Sequence, residues 1–155
     1  MHRQVGLGRW RRRGRFGNCS ALAEAGVTAM SLYDSNPATA QGLAARLKEH
    51  YSALRVRAGS NDPAGLDLVV NATPLGMDPA DPLPVDVARL APTTFVGEVV
   101  MKQEMTPFLR AAKAKGCAVQ VGTDMLFEQI PAYLEFFGFA TTTPDELRAV
   151  AKIKY

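Results

Sequence analysis

The chain has 155 residues, which suits one domain of ordinary size and is too short for two. Apolar residues make up 47% and charged residues 21%, a composition that excludes a disordered or collagen-like chain. The formal net charge is +3, but six arginines stand within residues 1–16, which contain no acidic residue. Residues 17–155 therefore carry a charge of about −3, so the excess positive charge belongs to a short N-terminal segment.

Other classes of protein leave recognisable patterns that are missing here. No stretch approaches the ~20 apolar residues that cross a bilayer, and no apolar segment of a signal peptide follows the arginines. Cys19 and Cys117 lack the spacing of metal ligands, which favours reduced, structural thiols. Asp78, Asp81 and Asp86 alternate with prolines and are interpreted as loop residues, so no metal site is expected. We expect a cytoplasmic protein that does not bind a membrane.

After residue 17, short β-branched runs alternate with helical patterns. A helix is expected to end before Gly26, followed by a strand over residues 27–33. Further strands are expected at residues 54–57, 67–71, 95–100 and 117–121, and further helices at residues 37–50, 106–116 and 125–137, with one more opening at Thr143. The proline-rich stretch 74–92 excludes a regular helix over most of its length.

Local signals support two of these helices. Asn36 and Pro37 are a typical N-cap and first helical residue, and an apolar stripe follows, formed by Ala40, Leu43, Ala44 and Leu47. Thr143 and Glu146 have the spacing of a capping box. Strands alternating with helices predict right-handed crossovers and a parallel sheet covered on both faces. The predicted fold class is therefore α/β, a Rossmann-like parallel sheet in three layers.

Ligands of such sheets bind where the strands end, which directs attention to Asp34, residues 71–73, residues 99–101 and Gly122. A carboxylate at Asp34 could accept both ribose hydroxyls of an adenine dinucleotide and would repel a 2′-phosphate. The alternative is that Asp34 only braces the turn before the next helix.

The N-terminal segment does not fit the phosphate loop expected before this domain. Gly6 and Gly8 begin a G-x-G-x-x-G pattern, but Arg11 takes the third position, and residues 1–5 are short and polar for a buried strand. We therefore expect the first strand and phosphate loop to be degraded, with residues 1–19 a basic, disordered or non-native arm and residues 20–155 the nucleotide-binding domain. The arm is interpreted as a solvated tail, as a nucleic-acid arm with Trp10 stacking on bases, or as an out-of-frame rendering of a Gly/Ala-rich loop. No basic surface continues downstream, so no nucleic-acid partner is expected.

Two spaced motifs carry a resemblance to a known family. Residues 71–77 have the sequence NATPLGM, which resembles the N-A-T-P-x-G-M signature of the shikimate dehydrogenase family. Residues 106–109 (TPFL), Gly116 and residues 122–129 (GTDMLFEQ) resemble its T-P-L-L…G…G-x-x-M-L-x-x-Q run. Residues 23–27 and 37–40 resemble the elements around its cofactor-ribose loop. The similarity covers residues 20–155.

The resemblance implies the nucleotide-binding domain of an enzyme that interconverts 3-dehydroshikimate and shikimate with NAD(P). The family's catalytic lysine and aspartate belong to another domain and have no counterparts here, so the chain is expected to be inactive alone. Besides a shikimate- or quinate-type small molecule, the expected partner is a separate catalytic domain or a homo-oligomer. The alternatives are an NAD-linked quinate dehydrogenase and a non-catalytic truncated remnant.

The resemblance also implies individual site residues. Gly122 matches a glycine near the nicotinamide, where a side chain would block the ring, and Gln129 matches a glutamine that reaches the substrate. On its own pattern, Gln129 could equally be an exposed helical amide. The implied cofactor-binding residues are Asp34, Ser35, Asn71, Ala72, Thr73, Val99 and Gly122, and the implied substrate-binding residues are Gln129 and Met101.

Three departures from the family pattern qualify this assignment. Met101 stands where many members have a substrate-contacting tyrosine, and Glu98 replaces the usual aspartate. Residues 34–36 (DSN) replace an Asn-Arg-Thr type of loop, which removes the arginine that would pair with a 2′-phosphate. NAD is therefore favoured over NADP.

Overall fold

A parallel sheet organises the protein in its computed structural model, which describes residues 4–7 and 14–153, with side chains from residue 18 onward. Within these residues the sheet has six strands in the order β3-β2-β1-β4-β5-β6, every neighbouring pair being parallel. This is the doubly wound order of Rossmann-like folds, so the predicted fold class is confirmed. The strands are β1 (Gln4–Leu7), β2 (Ala29–Leu32), β3 (Arg55–Ala58), β4 (Leu68–Asn71), β5 (Phe95–Glu98) and β6 (Ala118–Gln120).

The helices lie where the sequence predicts them, with ends that differ by a few residues. The proline-rich stretch forms one turn of 3-10 helix at Val87–Arg89. In the part of the chain that the structure describes, no helix is both long and apolar enough to cross a membrane. The α-helices are α1 (Gly14–Glu24), α2 (Pro37–His50), α3 (Pro107–Ala114), α4 (Gly122–Phe136) and α5 (Pro144–Val150).

Side-chain caps fix where three of these helices begin. The Asn36 side chain accepts the N–H of Ala38 at 3.1 Å, and the Thr106 hydroxyl accepts the N–H of Leu109 at 3.2 Å. At α5, Thr143 and Glu146 each accept the other's backbone N–H, at 3.2 and 3.0 Å, which confirms the predicted capping box. A proline follows each cap, where its missing N–H costs nothing.

Two apolar clusters, one on each face of the sheet, hold it in place. The first joins β2 and β3 to α2 through the predicted stripe, in which Leu47 is completely buried. The second joins β4 and β5 to α3, with Phe108 and Leu109 at its centre. The clusters hold the strands in place. Because all the strands are parallel, their carboxyl ends lie at one edge of the sheet.

The expectation of a degraded first strand is wrong. Backbone pairing places β1 between β2 and β4, with Val5 opposite Met30 on one side and Leu68 on the other. The strand has the mostly apolar sequence QVGL, and main-chain hydrogen bonds on both sides stabilise it. Helix α1 also begins inside the segment interpreted as an arm. Residues 8–13, which contain the predicted phosphate loop from Gly8 onward and four of the six N-terminal arginines, lie outside the described residues, so the interpretations of that loop stay predictions.

Candidate functional site

The residues singled out from the sequence follow the strands at one edge of the sheet. The strand order reverses between β1 and β4, because β2 and β3 are added on one side of β1 and β4 to β6 on the other. Ligands of doubly wound folds bind in the crevice at that point. Asn71 ends β4, Val99 follows β5, and the Val99 N–H donates to the Asn71 carbonyl at 3.2 Å. Asp34 follows β2 and Gly122 opens α4 after β6. All four therefore lie at the carboxyl edge.

Asp34 is buried, with 4% of its surface exposed, although it lies just past the end of a strand. Its Oδ1 accepts the N–H of Asn36 at 2.8 Å, while Ser35 between them is exposed. The carboxylate thus braces the turn into α2, which was the alternative interpretation of this residue. A carboxylate can accept several hydrogen bonds, so bracing is compatible with a second role for Asp34 toward a ribose.

The loop after β4 is held by its own motif residues. Asn71 Oδ1 accepts both the N–H and the hydroxyl of Thr73, at 3.1 and 2.6 Å. Asn71 Nδ2 donates to the Leu75 carbonyl at 2.9 Å, and Thr73 Oγ1 accepts the Leu75 N–H at 2.9 Å. Asn71, Ala72 and Thr73 are all buried. Their side-chain polar groups fix a rigid turn, so contact with a cofactor would be made chiefly by backbone at this loop.

Two further side chains hold the end of the same loop, and sequence reasoning missed both. The Asp81 carboxylate accepts the N–H groups of Gly76 and Asp78 at 2.9 and 3.0 Å, and the Gln103 amide donates to the Gly76 carbonyl at 2.7 Å. Gly76 has a φ of +100°, a conformation that favours glycine. Asp81 therefore has a structural function in the loop, beyond the solvated role expected for it.

Glu98, at the end of β5, contacts Asn71 at the end of β4 and Thr106 at the start of α3. Sequence reasoning did not identify this structural role. Glu98 is 5% exposed, and its Oε2 accepts the Thr106 hydroxyl at 3.0 Å and lies 3.5 Å from the donating Asn71 Nδ2. Its Oε1 is buried with no hydrogen-bond partner among the described residues. Burial raises the pKa of this carboxyl, and the hydrogen bonds from Thr106 and Asn71 only partly offset that rise. Asn71 and Glu98 lie opposite each other on the neighbouring strands β4 and β5. An alignment of these two strands in the sequence could therefore have predicted the contact.

Glu98→Gln is expected to be more stable than the wild type at neutral pH. The raised pKa means that the folded protein binds the proton more tightly, so wild-type stability is highest below the ordinary value of 4.5 and falls as the pH rises through the folded pKa. The Gln amide oxygen can still accept from Thr106 and Asn71 without burying a charge. Urea unfolding at a series of pH values measures the difference between the two proteins.

Glu104→Gln is the matched control, because Glu104 is exposed on the same loop. Its free energy of unfolding at neutral pH should equal that of the wild type. An advantage of Glu98→Gln that is equally large below pH 4.5 and at neutral pH would contradict the role given to the Glu98 charge.

Gly122 is required by a close approach of two backbones. A Cβ at this position would lie 2.0 Å from the Val100 carbonyl oxygen and 2.7 Å from its carbon. The start of α4 thus packs directly on the chain that leaves β5. The resemblance implied that a nicotinamide ring excludes a side chain here, whereas the contact with Val100 is by itself sufficient reason for glycine.

The two implied substrate residues lie in different surroundings. Gln129 is exposed on α4, with its Oε1 3.5 Å from the hydroxyl of Tyr133, and it lines an open groove of about 700 Å³ together with Val99. Met101 is 45% exposed and is not among the residues that line this groove. The structure therefore brings Gln129 and Val99 together and leaves Met101 apart from them.

Comparison with known sequences finds shikimate dehydrogenases among the relatives of the chain, although no family model matches it. The chain is 36% identical over 137 residues to the shikimate dehydrogenase (NADP(+)) of Rhodospirillum rubrum, covering 84% of this chain and 48% of that protein. It is 34% identical over 130 residues to the corresponding protein of Paracoccus denitrificans, covering 83% of this chain and 46% of that protein. The chain thus spans about half the length of the curated relatives that it matches.

Solved structures agree with this match. Quinate dehydrogenase from Corynebacterium glutamicum in complex with NAD superimposes with a TM-score of 0.82 at 28% identity, over 96% of this chain and 54% of that one. Shikimate 5-dehydrogenase from Thermus thermophilus, in complex with NADP(H) and shikimate, superimposes with a TM-score of 0.70 at 27% identity, over 94% of this chain and 52% of that one. The resemblance stated from the sequence motifs is confirmed.

Proposed function

We propose that this chain, which matches the nucleotide-binding half of shikimate dehydrogenases, binds NAD(P) at the carboxyl edge of its sheet and serves an oxidoreductase that interconverts 3-dehydroshikimate and shikimate. One observation carries the proposal. The rigid loop of residues 71–77 bears the family's signature and follows β4, next to the point where the strand order reverses.

The residues present fit a dinucleotide lying along this edge. The buried carboxylate of Asp34 would hold the ribose of the adenosine, and residues 71–73 would pass under the cofactor. Val99 and Gly122 would lie beside the nicotinamide, at the point where the start of α4 packs directly on the Val100 backbone. When bound, the nicotinamide supplies or accepts the hydride. The chain's part is to bind and orient the nucleotide and to exclude water from that end of the groove.

We propose NAD as the preferred cofactor. A carboxylate at the end of β2 can accept hydrogen bonds from ribose hydroxyls and repels a phosphate at the same place. Ser35 and Asn36 follow it and supply no positive charge. The curated relatives are named for NADP(+), while the Corynebacterium quinate dehydrogenase is in complex with NAD. The support for NAD in this chain is therefore the chemistry of Asp34.

The isolated chain is expected to bind nucleotide without oxidising shikimate. Hydride transfer from the substrate carbon needs a base for the hydroxyl proton, and the family's catalytic lysine and aspartate have no counterparts in this sequence. The purified chain should therefore show no shikimate-dependent formation of NADH or NADPH, followed by absorbance, in a preparation in which calorimetry detects nucleotide binding. Steady shikimate oxidation by the chain alone would contradict this part of the proposal.

The same assay separates the alternatives. If quinate and not shikimate is oxidised once a catalytic half is supplied, the quinate dehydrogenase alternative holds. A chain that binds neither nucleotide would be the non-catalytic remnant. We also propose a cytoplasmic location, supported by two buried cysteines that are not joined in a disulfide, which suits a reducing compartment.

A further inference from the structure

Two loops border the proposed nicotinamide end of the site, and they leave different strands. The first loop is residues 71–77, at the end of β4, and the second loop is residues 99–106, which follow β5 and end at the cap of α3. Where the strands end, the N–H of Val99 donates to the carbonyl of Asn71 at 3.2 Å. Beyond that point the loops lie outside the sheet, so their relative position depends on side-chain contacts.

Gln103 makes such a contact between the two loops. Its Nε2 donates to the Gly76 carbonyl at 2.7 Å, which connects the second loop to the far end of the first. The neighbouring residues Lys102 and Glu104 are exposed, whereas Gln103 is half-buried in a segment that belongs to no helix or strand. The side chain of Gln103 is therefore turned toward the first loop while its neighbours face solvent.

Gly76 is held on its other side as well. The Asp81 carboxylate accepts the Gly76 N–H at 2.9 Å, so both polar groups of this residue have side-chain partners. Gly76 is buried and has a φ of +100°, and a Cβ at this position would lie 3.3 Å from Cγ2 of Thr106. Gly76 is thus a point at which the first loop packs directly on the second.

Another connection between the loops lies closer to the sheet. Oε2 of Glu98 accepts the Thr106 hydroxyl at 3.0 Å and lies 3.5 Å from Nδ2 of Asn71. The first loop is therefore joined to the second at both of its ends, near Asn71 through Glu98 and at Gly76 through Gln103. Because the inner connection does not involve Gln103, loss of the Gln103 amide should leave the fold intact and release only the outer end.

The first loop is rigid within itself, so its release would move it as a unit. Asn71 Oδ1 accepts the N–H and the hydroxyl of Thr73, and Thr73 Oγ1 accepts the Leu75 N–H. Without the contact at Gly76, this turn would pivot about its end at β4. The position of the turn relative to Val99 therefore depends on the outer connection.

We propose that Gln103 is a positioning residue for the nicotinamide end of the nucleotide site, and that it acts through Gly76. By holding the first loop against the second, it presents residues 71–73 and Val99 to the cofactor in one preformed arrangement. A surface that is ordered before binding loses less conformational entropy when the ligand arrives, which raises the affinity. This inference rests on the proposed function, because it concerns the same site.

The alternative is that Gln103 only stabilises the fold. The two roles differ in which part of the nucleotide they affect. A positioning role at these loops affects the nicotinamide and leaves the adenosine end at Asp34 unchanged. A purely structural role weakens the binding of every part of the nucleotide alike. ADP-ribose, which is NAD without its nicotinamide, distinguishes the two roles.

The test is calorimetric titration of the full chain with NAD and with ADP-ribose. The wild type should bind NAD more tightly than ADP-ribose. Gln103→Met keeps the length of the side chain and removes its donor, so the affinity for NAD should fall about fivefold or more while that for ADP-ribose changes by less than about twofold. Gln103→Lys supplies a donor that can reach the Gly76 carbonyl, so it should keep the wild-type ratio of the two affinities.

Gln41→Met is the matched control, because Gln41 is exposed on α2. The same substitution at this position should change neither affinity. Urea unfolding of all the variants gives their free energies of unfolding. A Gln103→Met variant that does not fold would show that Gln103 is a structural residue and would overturn the proposal.

The remaining outcomes separate the positioning role from the proposed function. An equal loss of affinity for both ligands in Gln103→Met, or no loss for NAD, overturns the positioning role alone. A wild type that binds NAD and ADP-ribose equally tightly also overturns it, because the nicotinamide end then contributes nothing. A wild type that binds neither ligand overturns the proposed function, and the positioning role with it.

Discussion

Gly122→Ala is expected to destabilise the fold by about 3 kcal/mol or more, at or above the usual upper range for overpacking. The new methyl carbon would lie 2.0 Å from the Val100 carbonyl oxygen, so either α4 or the chain after β5 has to move. Both segments border the proposed nicotinamide end of the site. The affinity for nucleotide should therefore fall together with the free energy of unfolding. Urea unfolding gives the free energy of unfolding, and calorimetry gives the loss of affinity.

Gly42→Ala is the matched control for this substitution. Gly42 lies inside α2, and a Cβ there would meet nothing within 4 Å. Alanine should therefore stabilise the helix by about 0.5–1 kcal/mol. If both variants shift stability by the same small amount, the close approach of Gly122 to Val100 does not constrain the fold as described.

Asp34→Ser is expected to lower the affinity for NAD about 30-fold or more and to reverse the cofactor preference toward NADP. A carboxylate that accepts ribose hydroxyls makes charge-assisted hydrogen bonds, each contributing about 1.5–3 kcal/mol, and its removal also ends the repulsion of a 2′-phosphate. Serine keeps an oxygen that can accept the N–H of Asn36, so the turn into α2 should persist. Titrations with both nucleotides measure the change.

Asp86→Ser provides the comparison for this effect. Asp86 also accepts a backbone N–H two residues further on, at 3.0 Å, but it lies in the connection between β4 and β5. Its replacement should leave both nucleotide affinities unchanged. If the Asp34→Ser variant keeps the wild-type preference between NAD and NADP, Asp34 only braces the turn into α2.

Residues with strong local signals could be predicted from the sequence. Asn36, Thr106 and Thr143 mark helix starts because a cap followed by proline is a local property of the chain. The motif at residues 71–77 indicated the resemblance to shikimate dehydrogenases that the sequence comparison confirms. The edge formed by Asp34, Asn71 and Val99 followed from the rule that parallel strands end together.

Features that depend on pairing or packing could not be predicted. The strand β1 is held by backbone ladders on both sides, which a side-chain pattern does not record. The link from Glu98 to Asn71 needs the register of two strands, and the reason for Gly122 needs the position of Val100. The open groove at Gly97 depends on where α4 lies relative to the sheet.

Parallel calorimetric titrations of the wild-type chain with NAD and with NADP test the central claim most directly. The account predicts saturable binding of NAD at one site, tighter than that of NADP by about tenfold or more, because a 2′-phosphate would lie against the Asp34 carboxylate. Tighter binding of NADP would contradict the assignment of Asp34. Failure to bind either nucleotide would contradict the proposed function itself.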